Sequence, residues 1–145
     1  MTVRMKLIAG VAVAAASFGL AGAAQAQTKE VQMLHWWTSG GEAAALSVLK
    51  KDLAGEGYTW KDVPVAGGGG DAAMTALKAM VAAGNPPTAS QMLGYTVLDY
   101  AAAGKMGDIT ELAKSEGWDK VVPAPLQKFA VYDGKWVAVP VNVHS

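Results

Sequence analysis

Trp36 and Trp37 stand side by side, and Glu42 follows a few residues later in the stretch HWWTSGGE. An indole face covers flat apolar C–H surface, and its ring N–H donates a hydrogen bond. A carboxylate accepts from hydroxyl groups at charge-assisted strength. A molecule with apolar C–H faces and a rim of hydroxyls uses all three, and a sugar is such a molecule. Packing is the competing use of the rings. Adjacent side chains on a strand point to opposite faces, so a strand would send one indole into each layer. Both rings can reach one site only if the strand has ended by Trp37 and the chain turns through Thr38-Ser39-Gly40-Gly41. The two glycines ease that turn and leave room beside the following helix. Trp36, Trp37, Gly41 and Glu42 are therefore the candidate ligand contacts.

Other chemistries find less support. The run AGGGGD at 66–71 opens a helix, as phosphate-binding turns do. It lacks the Lys-Ser or Lys-Thr of a P-loop and the last glycine of the dinucleotide fingerprint, and Asp71 would repel a phosphate. It reads as a turn before a helix, or as a place where backbone approaches a neutral ligand. His35 and His144 are far apart and there is no cysteine, so no metal site is expected. No cofactor and no catalytic residue is assigned. Glu42 with Asp71 can be imagined as a glycosidase pair, but Glu42 already has a structural use in a capping box. Trp60, Trp118 and Trp136 read as core or hairpin packing.

These residues need elements to hold them. Val31–Trp37 reads as a strand, and Ser39 with Glu42 as a capping box. Leu46, Leu49 and Leu53 recur at helical spacing over 42–54. Tyr58–Val65 reads as a second strand at a sheet edge. It has Tyr58, Trp60 and Asp62 on one face. Ala73, Met74, Leu77, Met80 and Val81 form the stripe of a helix over 71–83. A third strand is expected at 89–93, and helices at 96–103 and 110–116, the latter with Thr110 as N-cap. Asp133-Gly134 should join a hairpin of 129–132 with 135–139. Strands alternating with helices predict an α/β layered fold with a largely parallel sheet, whose ligands sit beyond the carboxyl ends of strands.

The chain has 145 residues, 12 basic and 12 acidic. Arg4 and Lys6, an apolar stretch and Ala24-Gln25-Ala26 form the pattern of a secretory signal peptide, residues 1–26. Its removal leaves 119 residues and a net charge of −2. No basic stripe remains, which argues against nucleic acid as a partner. Without cysteine no disulfide is expected, nor a lipid anchor carried on a cysteine after the apolar stretch. An exported protein of the periplasm is expected. The final AVPVNVHS is extended and apolar, as though within an element, so the chain reads as a fragment.

The stretches VQMLHWWTSGGEAAAL, VAGGGGDAAMTALKAMVAAGNPP, EGWD and YDGKWVAVPVNVH together resemble the periplasmic solute-binding proteins of ABC sugar importers, in the branch for glucose- or mannose-type sugars. That resemblance implies a periplasmic-binding-protein-like layered fold. Residues 27–139 would make the N-terminal lobe only, and 140–145 would start the crossover to a second lobe. It implies a binding protein and not an enzyme, with a sugar ligand and ABC permease subunits as partners. It gives Trp36 and Trp37 the part of the stacking pair and Glu42 that of the carboxylate. Glucose-binding members carry a Lys or His near the position of Gly94, and here Leu93 cannot bond a hydroxyl. A secreted carbohydrate-active enzyme domain and an inactive truncated fragment are the alternatives.

Overall fold

The structure, a computed structural model, describes residues 29–141. The segment read as a signal peptide and the last four residues, His144 among them, lie outside these residues.

The chain begins with strand β1 (Glu30–His35), helix α1 (Gly40–Gly55) and strand β2 (Thr59–Pro64). A short 3-10 turn at Gly68–Gly70 leads into α2 (Asp71–Ala82), and the brief strand β3 (Ala89–Ser90) follows. The three strands form one parallel sheet in the order β2-β1-β3. The chain thus steps to one side of β1 and then to the other. With right-handed crossovers, this places α1 and α2 on opposite faces of the sheet. The α/β expectation is met, and β2 is the edge strand it was expected to be.

Strand alternation then sorts the side chains of β1. Leu34 is fully buried with Ala73 and Leu77 of α2, and Trp36, Val63, Met74, Met80 and Val81 pack around them. The stripe read in the sequence for α2 is the stripe that packs. His35 points to the α1 side, where its ring meets Asp62 of β2 and, through it, Lys50 of α1.

Several local expectations are corrected. β1 ends at His35, so both tryptophans lie beyond the strand. Helix α1 starts at Gly40, and the capping box is not formed: the Ser39 hydroxyl donates to the Glu42 carboxylate at 3.2 Å. That charged acceptor is the stronger one for the single hydroxyl proton. The Glu42 backbone N–H turns instead to the Ser39 carbonyl at 3.0 Å. β3 stops at Ser90, and Leu93 caps α3 (Gly94–Ala102).

The remainder forms a second cluster. It holds α4 (Thr110–Ser115), α5 (Trp118–Val121), α6 (Ala124–Ala130) and the hairpin β4 (Val131–Tyr132) with β5 (Lys135–Trp136). Phe129 and Ala130 are helical and not part of the hairpin, and α5 and α6 had no counterpart in the sequence reading. Asp133 and Gly134 both adopt positive φ, 49° and 72°, as the tight hairpin turn demands. Ile109, not Thr110, precedes α4 as its N-cap. The Thr110 backbone N–H is taken by the Asp108 carboxylate at 3.0 Å, and the Thr110 hydroxyl accepts the Trp136 backbone N–H at 2.9 Å. Trp118 and Trp136 meet edge to face at 5.7 Å over Ala113 and Ala130. These two rings are packing, as expected. Val139 and Val141 are exposed, while Val137 is half-buried. Among the described residues no helix is long and apolar enough to cross a membrane.

Candidate functional site

At the carboxyl end of β1 the two indoles part company. Trp36 goes to the α2 layer. Its ring lies so close to Gly70 that a Cβ there would stand 2.8 Å from the indole. Gly70 itself is buried and left-handed, at φ 82°. The glycine run is thus a turn shaped around a ring, which is the close-approach use of glycine applied to the protein's own side chain. The Trp36 backbone N–H is held by the Gln91 side-chain carbonyl at 3.0 Å, while the Gln91 N–H donates to Leu34 at 2.8 Å. Gln91 is buried and clamps the end of β1 to the end of β3.

Trp37 goes to the α1 layer. It stacks on His35 with ring centroids 6.0 Å apart and planes at 26°. It lines a cleft of about 280 Å³ with Glu42, Ala45, Leu46, Leu49 and Val141. Gly41, in the first turn of α1, has open space around it. Three of the four candidate contacts, Trp37, Gly41 and Glu42, therefore gather where β1 ends and α1 begins. Trp36 flanks them from the other layer.

Beneath Trp37 lies a polar network absent from the sequence reading. His35 is 2 % exposed, and its Nε2 donates to Asp62 Oδ1 at 3.1 Å. The Trp60 indole N–H donates to the same oxygen at 2.6 Å, and Lys50 donates to the other oxygen. The Lys50 ammonium also lies 5.7 Å from the Trp60 ring. Trp60 is thus a hydrogen-bond donor on an ion pair and not the core or hairpin residue expected. Its placement on one face with Asp62 was the available signal. Partial burial raises the Asp62 pKa, but donation from Lys50, Trp60 and His35, with the Lys50 charge, outweighs it. The carboxyl is held at about 2, below its ordinary 3.8. A carboxylate with a lowered native pKa contributes its stability above the unfolded value and loses it as pH falls. Stability is therefore expected to drop between pH 3.8 and about 2. Urea midpoints measured across that range should fall less steeply for Asp62→Asn. Equal slopes would remove Asp62 from the acid response.

A second, larger groove of about 520 Å³ runs along the start of α3 toward Val141, lined by Gln91, Leu93, Tyr95, Phe129 and Val139. Gly94 is required here, since a Cβ would stand 2.9 Å from the Phe129 ring. Val141 borders both hollows. Among the described residues no cluster of His, Asp or Glu could hold a metal ion. Glu42 opens α1 and Asp71 opens α2, in different layers of the sheet.

No family model matches the chain. It is 79 % identical over 140 residues to a probable sugar-binding periplasmic protein of Mesorhizobium japonicum, a match covering 97 % of this chain and 33 % of that protein. It is 61 % identical over 132 residues to a protein of the same description from Rhizobium meliloti, covering 91 % of this chain and 32 % of the relative. An uncharacterized ABC transporter extracellular-binding protein of Pyrococcus horikoshii is 33 % identical over 121 residues, covering 81 % of this chain and 27 % of the relative. The chain spans about a third of the length of these curated relatives. The chain is thus similar over most of its length to proteins described as sugar-binding periplasmic and ABC transporter extracellular-binding proteins, and its parallel sheet between two helical layers has the architecture of part of the N-terminal lobe of a periplasmic-binding-protein-like fold.

Proposed function

We propose that the protein binds a sugar in the periplasm and passes it to the permease subunits of an ABC importer, acting as a binding protein and not as an enzyme. The carrying observation is the meeting of Trp37 and Glu42 in one cleft at the carboxyl end of β1. The indole supplies a face for ring C–H groups and the carboxylate accepts from hydroxyls. Gly41 keeps the approach open, and Trp36, seated on Gly70, fixes the turn beside it. In this reading residues 27–139 are lobe, 140–145 begin the crossover, and residues 1–26 direct export. A glucose- or mannose-type monosaccharide is the proposed ligand. Its remaining contacts come from the two thirds of the relatives' length that this chain does not span.

The test is titration calorimetry on the complete gene product with glucose, mannose, xylose and a disaccharide. Losing a stacking indole is expected to cost about 1–3 kcal/mol, roughly a 5- to 150-fold loss of affinity. Trp37→Ala and Glu42→Gln should both weaken the sugar that binds. If a sugar binds tightly and both variants keep native affinity, the cleft is not the sugar site.

A further inference from the structure

The Trp37 ring has to be held if it is to serve as a platform, and no part of the β1 ladder holds it, because the strand ends at His35. The ring it rests on is unusual for its place. His35 is 2 % exposed at a strand end whose preceding residue, Leu34, is fully buried. Its Nε2 is used on Asp62, and its Nδ1 is buried without a partner among the described residues. A buried polar atom left unmet costs stability, and an aliphatic residue would fill the same space without that cost. What an aliphatic residue would not supply is a flat ring fixed in orientation by a hydrogen bond. Asp62 is itself fixed from three sides, by His35 of β1, by Trp60 of its own strand and by Lys50 of α1. Stacking partners at this separation lie within the ordinary range for paired aromatic rings.

We propose that His35 is a positioning residue: its imidazole, tethered to Asp62, is the bracket that sets the Trp37 indole against the start of α1. The role rests on the reading of Trp37 as a sugar contact, and it extends that reading to two residues outside the lining of the cleft. The network ties β1, β2 and α1 together, so the indole is placed by the same frame that places Glu42.

The test is fluorine NMR of the complete gene product labelled with 5-fluorotryptophan, recorded without sugar. The resonances include those of the chain's five tryptophans, and Trp37→Phe identifies the one from Trp37. His35→Gln keeps a donor for Asp62 but removes the ring face. It should shift the Trp37 resonance toward the value of an exposed indole, and His35→Phe should restore it. Asp62→Ala leaves both rings and unties the imidazole, and should shift the same resonance. Trp118 and Trp136, in the other cluster, should not move. A Trp37 resonance unchanged in both His35→Gln and Asp62→Ala overturns the proposal. So does collapse of all the tryptophan resonances together in both, which would make the network general support. D-glucose, D-mannose and D-xylose titrations of Trp37→Ala form a separate arm. If affinity is unchanged there while the resonance moves in the spectra, the positioning stands and the sugar reading of Trp37 falls.

Discussion

Gly70→Ala is expected to destabilise the protein by about 2–5 kcal/mol, the sum of a backbone and a steric cost. Gly70 sits at φ 82° and ψ 3°, the left-handed region. An L-residue there costs about 1–2 kcal/mol. The new methyl would also meet three indole carbons of Trp36 at 2.8 to 2.9 Å. Forcing extra volume into a packed site costs about 1–3 kcal/mol. Gly69 separates the two contributions. It has φ 74° but nothing within 4 Å of a Cβ, so Gly69→Ala should show the backbone cost alone, about 1–2 kcal/mol. Urea midpoints of the two variants give the difference. Pairing Gly70→Ala with Trp36→Leu should recover part of the loss, because the smaller side chain yields. Equal effects at the two glycines would mean that Trp36 does not rest on the turn.

Leu34→Ala is expected to cost about 2–5 kcal/mol, the range for truncating a fully buried leucine. Among the described residues Leu34 is the largest fully buried side chain, and it joins β1 to Ala73 and Leu77 of α2. Its neighbours are parts of a sheet and a helix, which collapse only partly into the space it leaves. Against the 5–15 kcal/mol margin of a typical domain, roughly, such a loss is large. Leu112→Ala is the control, since Leu112 is 51 % exposed. Surface changes of that kind stay within about 0.5 kcal/mol. Thermal or urea unfolding should separate the two variants clearly. A Leu34→Ala protein as stable as the control would move the core elsewhere.

The parallel α/β layering was legible because periodicity carried it. The stripe from Ala73 to Val81 and the apolar run through Leu34 each packed as read. The hairpin turn was legible because Asp133-Gly134 has few conformations open to it. α5 and α6 were not, because 118–130 contains Pro123 and Pro125 and short helices with little periodic pattern. The strand at 89–93 was overread: five residues of mixed polarity, Ala89 to Leu93, carry too little pattern to tell a strand from a loop entering a helix. At the site, residue types pointed to Trp37 and Glu42. The network beside His35 was hidden because Asp62, its partner, is distant in sequence and meets it only once β2 lies beside β1, where Lys50 then joins Asp62. Gln91 was passed over for the neighbouring Leu93, since its part is played by one side-chain carbonyl on a backbone N–H.

The register of β1 on β2, Glu30 opposite Thr59 through His35 opposite Pro64, acts as a ratchet with only even steps. Side chains alternate with a period of two, so a shift by one residue exchanges every face. One residue inserted into or deleted from the middle of β1 would send His35 into the apolar cluster of α2 and Leu34 onto Asp62. The Trp36 and Trp37 rings would trade layers, and Gly70 would lose the ring it was shaped around. A two-residue change would keep the faces but displace the indoles along the strand axis by about 6.5 Å. The number of residues from Val31 to Trp37 therefore decides which layer each indole enters.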